Sequence, residues 1–371
     1  MDMKILSRTL PQPDLKARFN DARNPGFSNV WRGAVARSTL TRPLASLFAG
    51  LGTCLMYHRI CEDEQTQATI QSSFLPNQEL IVSTRAFNEQ MAFLARNYNC
   101  ISLHQAIEQL KSGRLPPSSV VVTFDDGYLD NLTLALPVLQ SHGIPATVYI
   151  ATGLIEQTSR LWWYELEQLV AGQSNLHIDW QGREYNISST NVMEKRLAYV
   201  FLNRLMKRMS PEEQSDFMAM LQAEHPHHFN YSSLVLRRRH LEKLADDPLI
   251  TIGAHTHHHL VLSRLSDIQL RHELLRSREL LQSWLERPVD HLAYPFGSNQ
   301  QACKREFKVA RELGFESAVT TRLGHLQKFH RNHLLALPRV AVGYQDCMSR
   351  FEWKLSGLYC LSRRPLSRIR I

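Results

Sequence analysis

Two adjacent carboxylates, Asp125 and Asp126, close the run Val120–Asp130, VVVTFDDGYLD. Four histidines crowd into Ile252–Leu262, IGAHTHHHLVL. Each group follows a short apolar stretch that reads as a buried strand. A strand interior has no use for two acids side by side. At the C-terminal mouth of a parallel sheet or barrel, however, successive residues point in different directions. One acid can then hold a metal while its neighbour acts as a base. The plain alternative is an Asp-Asp-Gly turn with two solvated acids, which Gly127 would permit. His255 and His259 stand four apart, and on a helical turn such side chains share a face and reach one ion. Two imidazoles and one carboxylate suit zinc or a similar divalent metal, with a position left open for water. In that geometry His257 and His258 point elsewhere.

These residues need a scaffold that brings both strand ends to one mouth. Cys54–Ile60 reads as the first core strand, ending in Tyr57-His58-Arg59, with a short helix before it marked by Leu44, Leu47, Phe48 and Leu51. Glu62–Asn77 is a polar loop. Ser83–Arg96 has helical spacing behind Ser83/Thr84 as cap. A strand at Cys100–Leu103, a helix at Leu103–Lys111, the strand Val120–Phe124, a helix at Asn131–His142 and a strand at Ala146–Ala151 follow. That alternation predicts parallel strands with crossover helices. It breaks over 154–240, where an aromatic helix (Leu161–Leu169), a hairpin around Gln181-Gly182 and two helices (Val192–Met209, Pro211–Ala223) read as an insertion. Packing subdomain and substrate-binding wall are both open for it. The pattern resumes with a short helix at His240–Ala245, the strand Leu249–Ala254 and the long helix Asp267–Leu285. The strand His291–Tyr294, a helix at Ala302–Leu313 and the strands Ser317–Thr321 and Leu337–Val342 complete it. About eight strands with helices between them predict an α/β fold, a distorted or incomplete β/α barrel over 43–347. A basic extension (1–42) precedes it, and an amphipathic helix with a basic tail (348–371) follows.

The 371 residues carry a net charge of +8, concentrated at the two ends: residues 1–42 hold eight Lys/Arg against three Asp/Glu, and residues 348–371 six against one. The middle is slightly acidic, which argues against a nucleic-acid groove across the core. The basic ends suit solvent, or loose contact with an anionic membrane face. Six cysteines without a CxxC pair read as reduced packing residues of an intracellular protein. The polar opening Met1–Asn20 does not read as a secretory signal. The longest apolar run, Leu44–Tyr57, falls short of the ~20 residues of a membrane-spanning helix. The expected location is cytoplasmic, at most peripheral to the inner membrane face.

TFDDGY at 123–128 and HTHHH at 255–259 resemble the first two motifs of the NodB-type polysaccharide deacetylases (carbohydrate esterase family 4), and YPFG at 294–297 resembles the third. The resemblance runs from about Leu55 to Val342. It implies a distorted (β/α)7 barrel and metal-dependent removal of acetyl from N-acetylated sugars. Carried over residue by residue, it makes Asp126, His255 and His259 the metal ligands and Asp125 the base. Tyr128, Tyr294 and Phe296 fall at substrate or oxyanion positions. Leu55-Met56-Tyr57-His58 is similar to a permuted branch that draws its general acid from this early strand, which nominates His58. In many relatives an arginine steadies the base from the position that Ala293 occupies here; Arg339, in LPRV, is the candidate replacement.

The implied cofactor is a divalent metal, zinc first. The implied partner is an acetylated glycan, or a lipid- or nucleotide-linked sugar precursor. The competing expectations are an O-acetyl esterase or other amide hydrolase on the same site, and a non-catalytic carbohydrate-binding protein.

Overall fold

The computed structural model describes residues 50–63, 74–225 and 233–363. The basic extension, most of the Leu44–Leu51 helix and the end of the basic tail lie outside the described residues. The chain divides into a unit over Ala49–Asp346 and a second unit that includes Cys347–Ile371.

The first unit is a closed barrel of parallel strands. β1 (Gly52–Tyr57) pairs on one side with β12 (Leu337–Ala341) and on the other with β5 (Ser119–Phe124). The ring continues through β6 (Ala146–Ile150), β9 (Ile250–Ala254), β10 (His291–Ala293) and β11 (Ser317–Leu323) back to β12. Seven strands close the ring, one fewer than the strand count suggests. The remaining piece, β4 (Asn99–Cys100), adds only two pairings, to Ser119 and Val120 below the start of β6. It is shorter than the expected Cys100–Leu103 because Ser102 caps a helix: its hydroxyl accepts from Gln105 N–H, whose side chain accepts from Ser102 N–H in return.

The first strand also differs from the sequence reading. It stops at Tyr57, and β2 (Arg59–Cys61) leaves the barrel to pair with β3 (Ile81–Ser83). Side chains just past β5 capture the departing backbone: Asn131 Nδ2 donates to His58 O at 2.8 Å, and Ile60 N–H donates to Asp130 Oδ1 at 3.1 Å. His58 therefore sits on a bend at the barrel rim. The helix after β5 opens with a π turn over Asn131–Ala135 before becoming α at Leu136. Pro137 has no N–H for the usual i→i−4 bond there.

The helix Leu103–Lys111 packs Leu103, Ala106, Ile107 and Leu110 among the inward residues Cys54, Val121, Ala293, Val319 and Leu337. This plug fills the N-terminal end of the barrel and leaves the C-terminal ends of the strands as the mouth. β6 and β9 are neighbours, although almost a hundred residues separate them in sequence. Between them lie the helix Trp162–Gly172, the antiparallel hairpin β7 (Asn175–Trp180) and β8 (Arg183–Ser188), and the helices Val192–Met206 and Pro211–Glu224. The hairpin turns on Gln181 and Gly182, both at positive φ, the geometry that matches strand twist. This insertion has an apolar core of its own, built on Trp162, Trp163, Leu166, Tyr199, Leu202 and Phe217.

In the second unit the single amphipathic helix expected over Met348–Cys360 is two short helices, Met348–Leu355 and Leu358–Arg363. Gly357, at φ +79°, separates them. Among the described residues the cysteines form no disulfide. No helix among the described residues is long and apolar enough to cross a membrane.

Candidate active site

Alternation along β5 turns Val121 and Thr123 into the barrel, and Asp125 follows them on the same side at the rim. Asp126 then takes φ +74° and Gly127 φ +80°. This left-handed pair swings the second carboxylate away from the first. Gly127 is required: a Cβ there would lie 3.0 Å from Ile150 Cδ1, on a backbone that side chains rarely adopt.

Asp126 Oδ1 lies 3.3 Å from His255 Nε2 and 3.2 Å from His259 Nε2, and all three residues are buried. The two histidines do not share a helical turn, as their spacing suggests. They sit on an irregular loop after β9, in which Thr256 (φ +64°) and His259 (φ +56°) bend the chain back on itself. Glu273, buried on the helix Asp267–Leu285, holds that loop: His258 N–H donates to its Oε2 at 2.7 Å, and His258 Nδ1 lies 2.6 Å from Oε1. His257 turns to Thr152 Oγ1 at 2.8 Å. Neither His257 nor His258 joins the cluster.

The three ligand atoms fit a metal ion. His255 Nδ1 is 2.7 Å from Ala293 O, so Nδ1–H donates to that carbonyl and the Nε2 lone pair is left facing Asp126. Asp126 Oδ1 is buried without a hydrogen-bond partner among the described residues. Atoms ~2.0–2.1 Å from a tetrahedral ion lie ~3.4 Å apart, close to the separations here. Lone pairs converging on one point suit a cation among them. The electrostatics carry the same sign. Burial alone would raise Asp126, but the two imidazoles hold its carboxyl well below the usual range. Burial alone would lower His255, but Asp126 and Asp125 push it above the ordinary imidazole value.

Asp125 is gripped from the other side. Arg339, on β12 and fully buried, places Nη1 2.7 Å from Oδ1 and Nη2 2.6 Å from Oδ2. Its remaining donors reach Thr123 Oγ1 (3.1 Å) and Thr320 O (3.0 Å). Burial opposes ionisation of Asp125, yet Arg339 outweighs it, and the carboxyl stays below its ordinary pKa. His58 faces this pair with Nε2 3.9 Å from Asp125 Oδ2. Burial lowers the His58 pKa despite both nearby acids.

Phe296 also lies in the left-handed region, at φ +58°. Its ring is 4.9 Å from that of His259, and its carbonyl accepts from Thr321 Oγ1 at 2.6 Å. Its N–H has no acceptor among the described residues. Tyr128 and Tyr294, expected at substrate positions, are both fully buried. The segment at Val235 pairs with Tyr128 and seals it into the insertion's core. Tyr294 spends its hydroxyl on Leu335 O at 3.1 Å. The ring centroid of Trp163 is 5.0 Å from that of His259, and Trp162 is 6.1 Å from Phe296. Sequence reasoning missed Trp163 as a site residue, though the paired tryptophans in the insertion were a usable signal. It also missed Glu273, whose spacing from the histidines carries no pattern.

Comparisons with known proteins bear on the family and the fold. The model of the family "Polysaccharide deacetylase" matches residues 112–318, more than half of the chain. A poly-beta-1,6-N-acetyl-D-glucosamine N-deacetylase of Escherichia coli (strain K12) is 43% identical over 67 residues; that stretch is 18% of this chain and 10% of the relative, so only a small part of the relative's length is matched. Among solved structures, the Streptococcus pyogenes deacetylase PplD in complex with acetate superposes with a TM-score of 0.51 at 20% identity, covering 78% of this chain and 92% of that one. A de-N-acetylase from Aggregatibacter actinomycetemcomitans gives a TM-score of 0.51 at 13% identity, covering 82% and 99%. These structures share the fold. With the family match spanning both β5 and the histidine loop, the chain belongs to the polysaccharide deacetylase family.

Proposed function

We propose that the chain is a metal-dependent hydrolase that removes acetyl groups from N-acetylated sugars of a glycan. The observation that carries this reading is the division of labour between the adjacent acids. Asp126 converges with two imidazoles on one point, while Asp125 is kept ionised and aimed by Arg339. A non-catalytic binding module has no need of the second acid or of its buried partner.

A divalent ion held by Asp126, His255 and His259, zinc first for an N2O donor set, would polarise the acetyl carbonyl and lower the pKa of water beside it. Asp125 takes the proton of the attacking water. Arg339 keeps that carboxylate deprotonated and fixes which oxygen faces the substrate. The N–H of Phe296, set by its left-handed turn, donates to the developing oxyanion. His58 Nε2 gives a proton to the departing amine, which is otherwise a poor leaving group. Burial disfavours the charged form of His58, so the proton it gives is the one Asp125 takes from the water, received from Asp125 Oδ2, which lies 3.9 Å from His58 Nε2. Trp162 and Trp163, packed in the insertion's core beside Phe296 and His259, exclude water from one side.

The substrate class follows from the family and from the matched relative: glycans rich in N-acetylhexosamine, as polymer or as lipid- or nucleotide-linked precursor. The test is acetate release by chelator-stripped, zinc-reloaded protein from β-1,6-linked N-acetylglucosamine oligomers. Lipid-linked, nucleotide-linked and O-acetylated sugars form the comparison arms. Release from N-acetylated substrates that needs added metal supports the reading. Release from the O-acetylated arm alone would replace it with an esterase, and none from any arm would end it.

A further inference from the structure

The opposite end of the barrel carries a second cluster of ligating side chains. His104 lies on the plug helix, His291 opens β10, and Glu316 immediately precedes β11. One donor atom from each falls within 4.8 Å of the others. We propose that His104, His291 and Glu316 bind a divalent transition-metal ion of the zinc class, which staples the plug helix Leu103–Lys111 to β10 and β11.

The neighbouring contacts orient the ligands toward one another. His291 Nδ1 is engaged with Ser317 Oγ at 2.9 Å, which leaves Nε2 as the free donor. Lys111 binds Glu316 Oε1, while Oε2 faces His104 Nδ1 at 3.8 Å. The two imidazole rings have centroids 6.2 Å apart. His291 and Glu316 thus each have one polar atom spoken for by an outer partner and another left for an ion, the pattern by which outer partners set metal ligands. His104 is exposed and Glu316 partly so, which gives an ion a route from solvent. Two imidazoles and one carboxylate favour zinc, cobalt or nickel over calcium or magnesium.

The site has a mechanical use. The plug helix is joined to the barrel mainly by apolar contacts, and β4, which leads into it, adds only two pairings. A three-point ion bridge would tie the helix to two strands of the ring. It would raise stability by mass action without touching the mouth.

Cobalt titration of the stripped full-length protein tests this, followed by d–d absorbance and by metal analysis after desalting. Wild type should take up about two equivalents, and His104→Ala, Glu316→Gln and His255→Ala about one each. The double variant His104→Ala/His255→Ala should take up none. His104→Ala should keep acetate release, and it should lose a metal-induced rise in Tm of a few degrees that His255→Ala retains. A single wild-type equivalent that persists in His104→Ala and is lost in His255→Ala, or a His104→Ala protein that still binds two, would overturn the proposal. Because His104 is exposed and His255 lies at the other end, failure here is separable from failure of the catalytic reading.

Discussion

Arg339 and Asp125 meet as a planar fork, with paired contacts of 2.7 and 2.6 Å between side chains that are both buried. The strands that carry them, β12 and β5, are not neighbours; β1 lies between them. The guanidinium thus spans the barrel interior to reach the acid. Such a pair is costly to bury and costlier to break, because removing one partner strands the other charge.

Replacing Arg339 with Met should therefore act on both stability and pH dependence. The loss of stability should be about 3–5 kcal/mol near neutral pH. Asp125 has a depressed pKa in the folded protein. Its contribution is present above the carboxylate pKa of the unfolded chain and is lost as pH falls through the lower folded value. The gap in Tm between wild type and Arg339→Met should accordingly narrow in acid. With Arg339 gone, burial dominates and the Asp125 pKa rises, so the acid limb of kcat/KM should move to higher pH. An unmoved limb would show that Arg339 does not tune the base.

Metal retention should separate the two acids. Asp126→Asn and His255→Ala should each bind about one equivalent of divalent ion fewer than wild type, read by plasma mass spectrometry. Asp125→Asn should retain it while acetate release falls by about 10²–10⁴-fold. An Asp125→Asn enzyme with near wild-type turnover would remove Asp125 from the role of base.

The contribution of His58 should depend on the leaving group. An amine needs a proton as it departs, whereas a nitrophenolate does not. His58→Gln should cost roughly 10²-fold or more on N-acetylated sugars and far less on an aryl acetate. Equal losses on both substrates would assign His58 to positioning rather than proton transfer.

Glu167 offers a test of the insertion's electrostatics. It lies on the helix with Trp162 and Trp163, and burial raises its pKa to about 7 although Asn77 donates to it. An acid with a raised folded pKa favours folding below its unfolded value, and that advantage is lost as pH climbs through the folded one. Glu167→Gln removes the titration while keeping an acceptor for Asn77. The variant should be more stable than wild type at pH 8, by ~1–3 kcal/mol, and nearly equal to it at pH 5. Denaturant melts at the two pH values measure the difference, and a pH-independent difference would count against the burial argument.

Much of this molecule was legible in the order of residues. Val120–Phe124 reads as a strand because β-branched residues fill it, and the helix Asp267–Leu285 appears with the bounds that its cap and apolar stripe predict. The hairpin turn at Gln181-Gly182 follows from local backbone preference. Asp125, Asp126, His255 and His259 stand out because two acids and four histidines at strand ends have no packing use. These are local signals, set by neighbours in sequence.

What the sequence could not show lies between distant segments. The break after Tyr57 comes from Asp130 and Asn131, some seventy residues on, capturing the backbone of His58 and Ile60. The burial of Tyr128 and Tyr294 depends on Val235 and Leu335, which no local pattern links to them. The gathering of His255 and His259 by two left-handed residues, rather than by a helical turn, required Glu273 to hold the loop. Composition and spacing determined that a metal-type cluster and a paired acid exist and which strands bear them. Closure of the ring decided that Arg339 pairs with Asp125. Only closure brings a charge on β12 across the interior to a carboxylate on β5, and an interaction that spans the ring leaves no trace in the spacing along either strand.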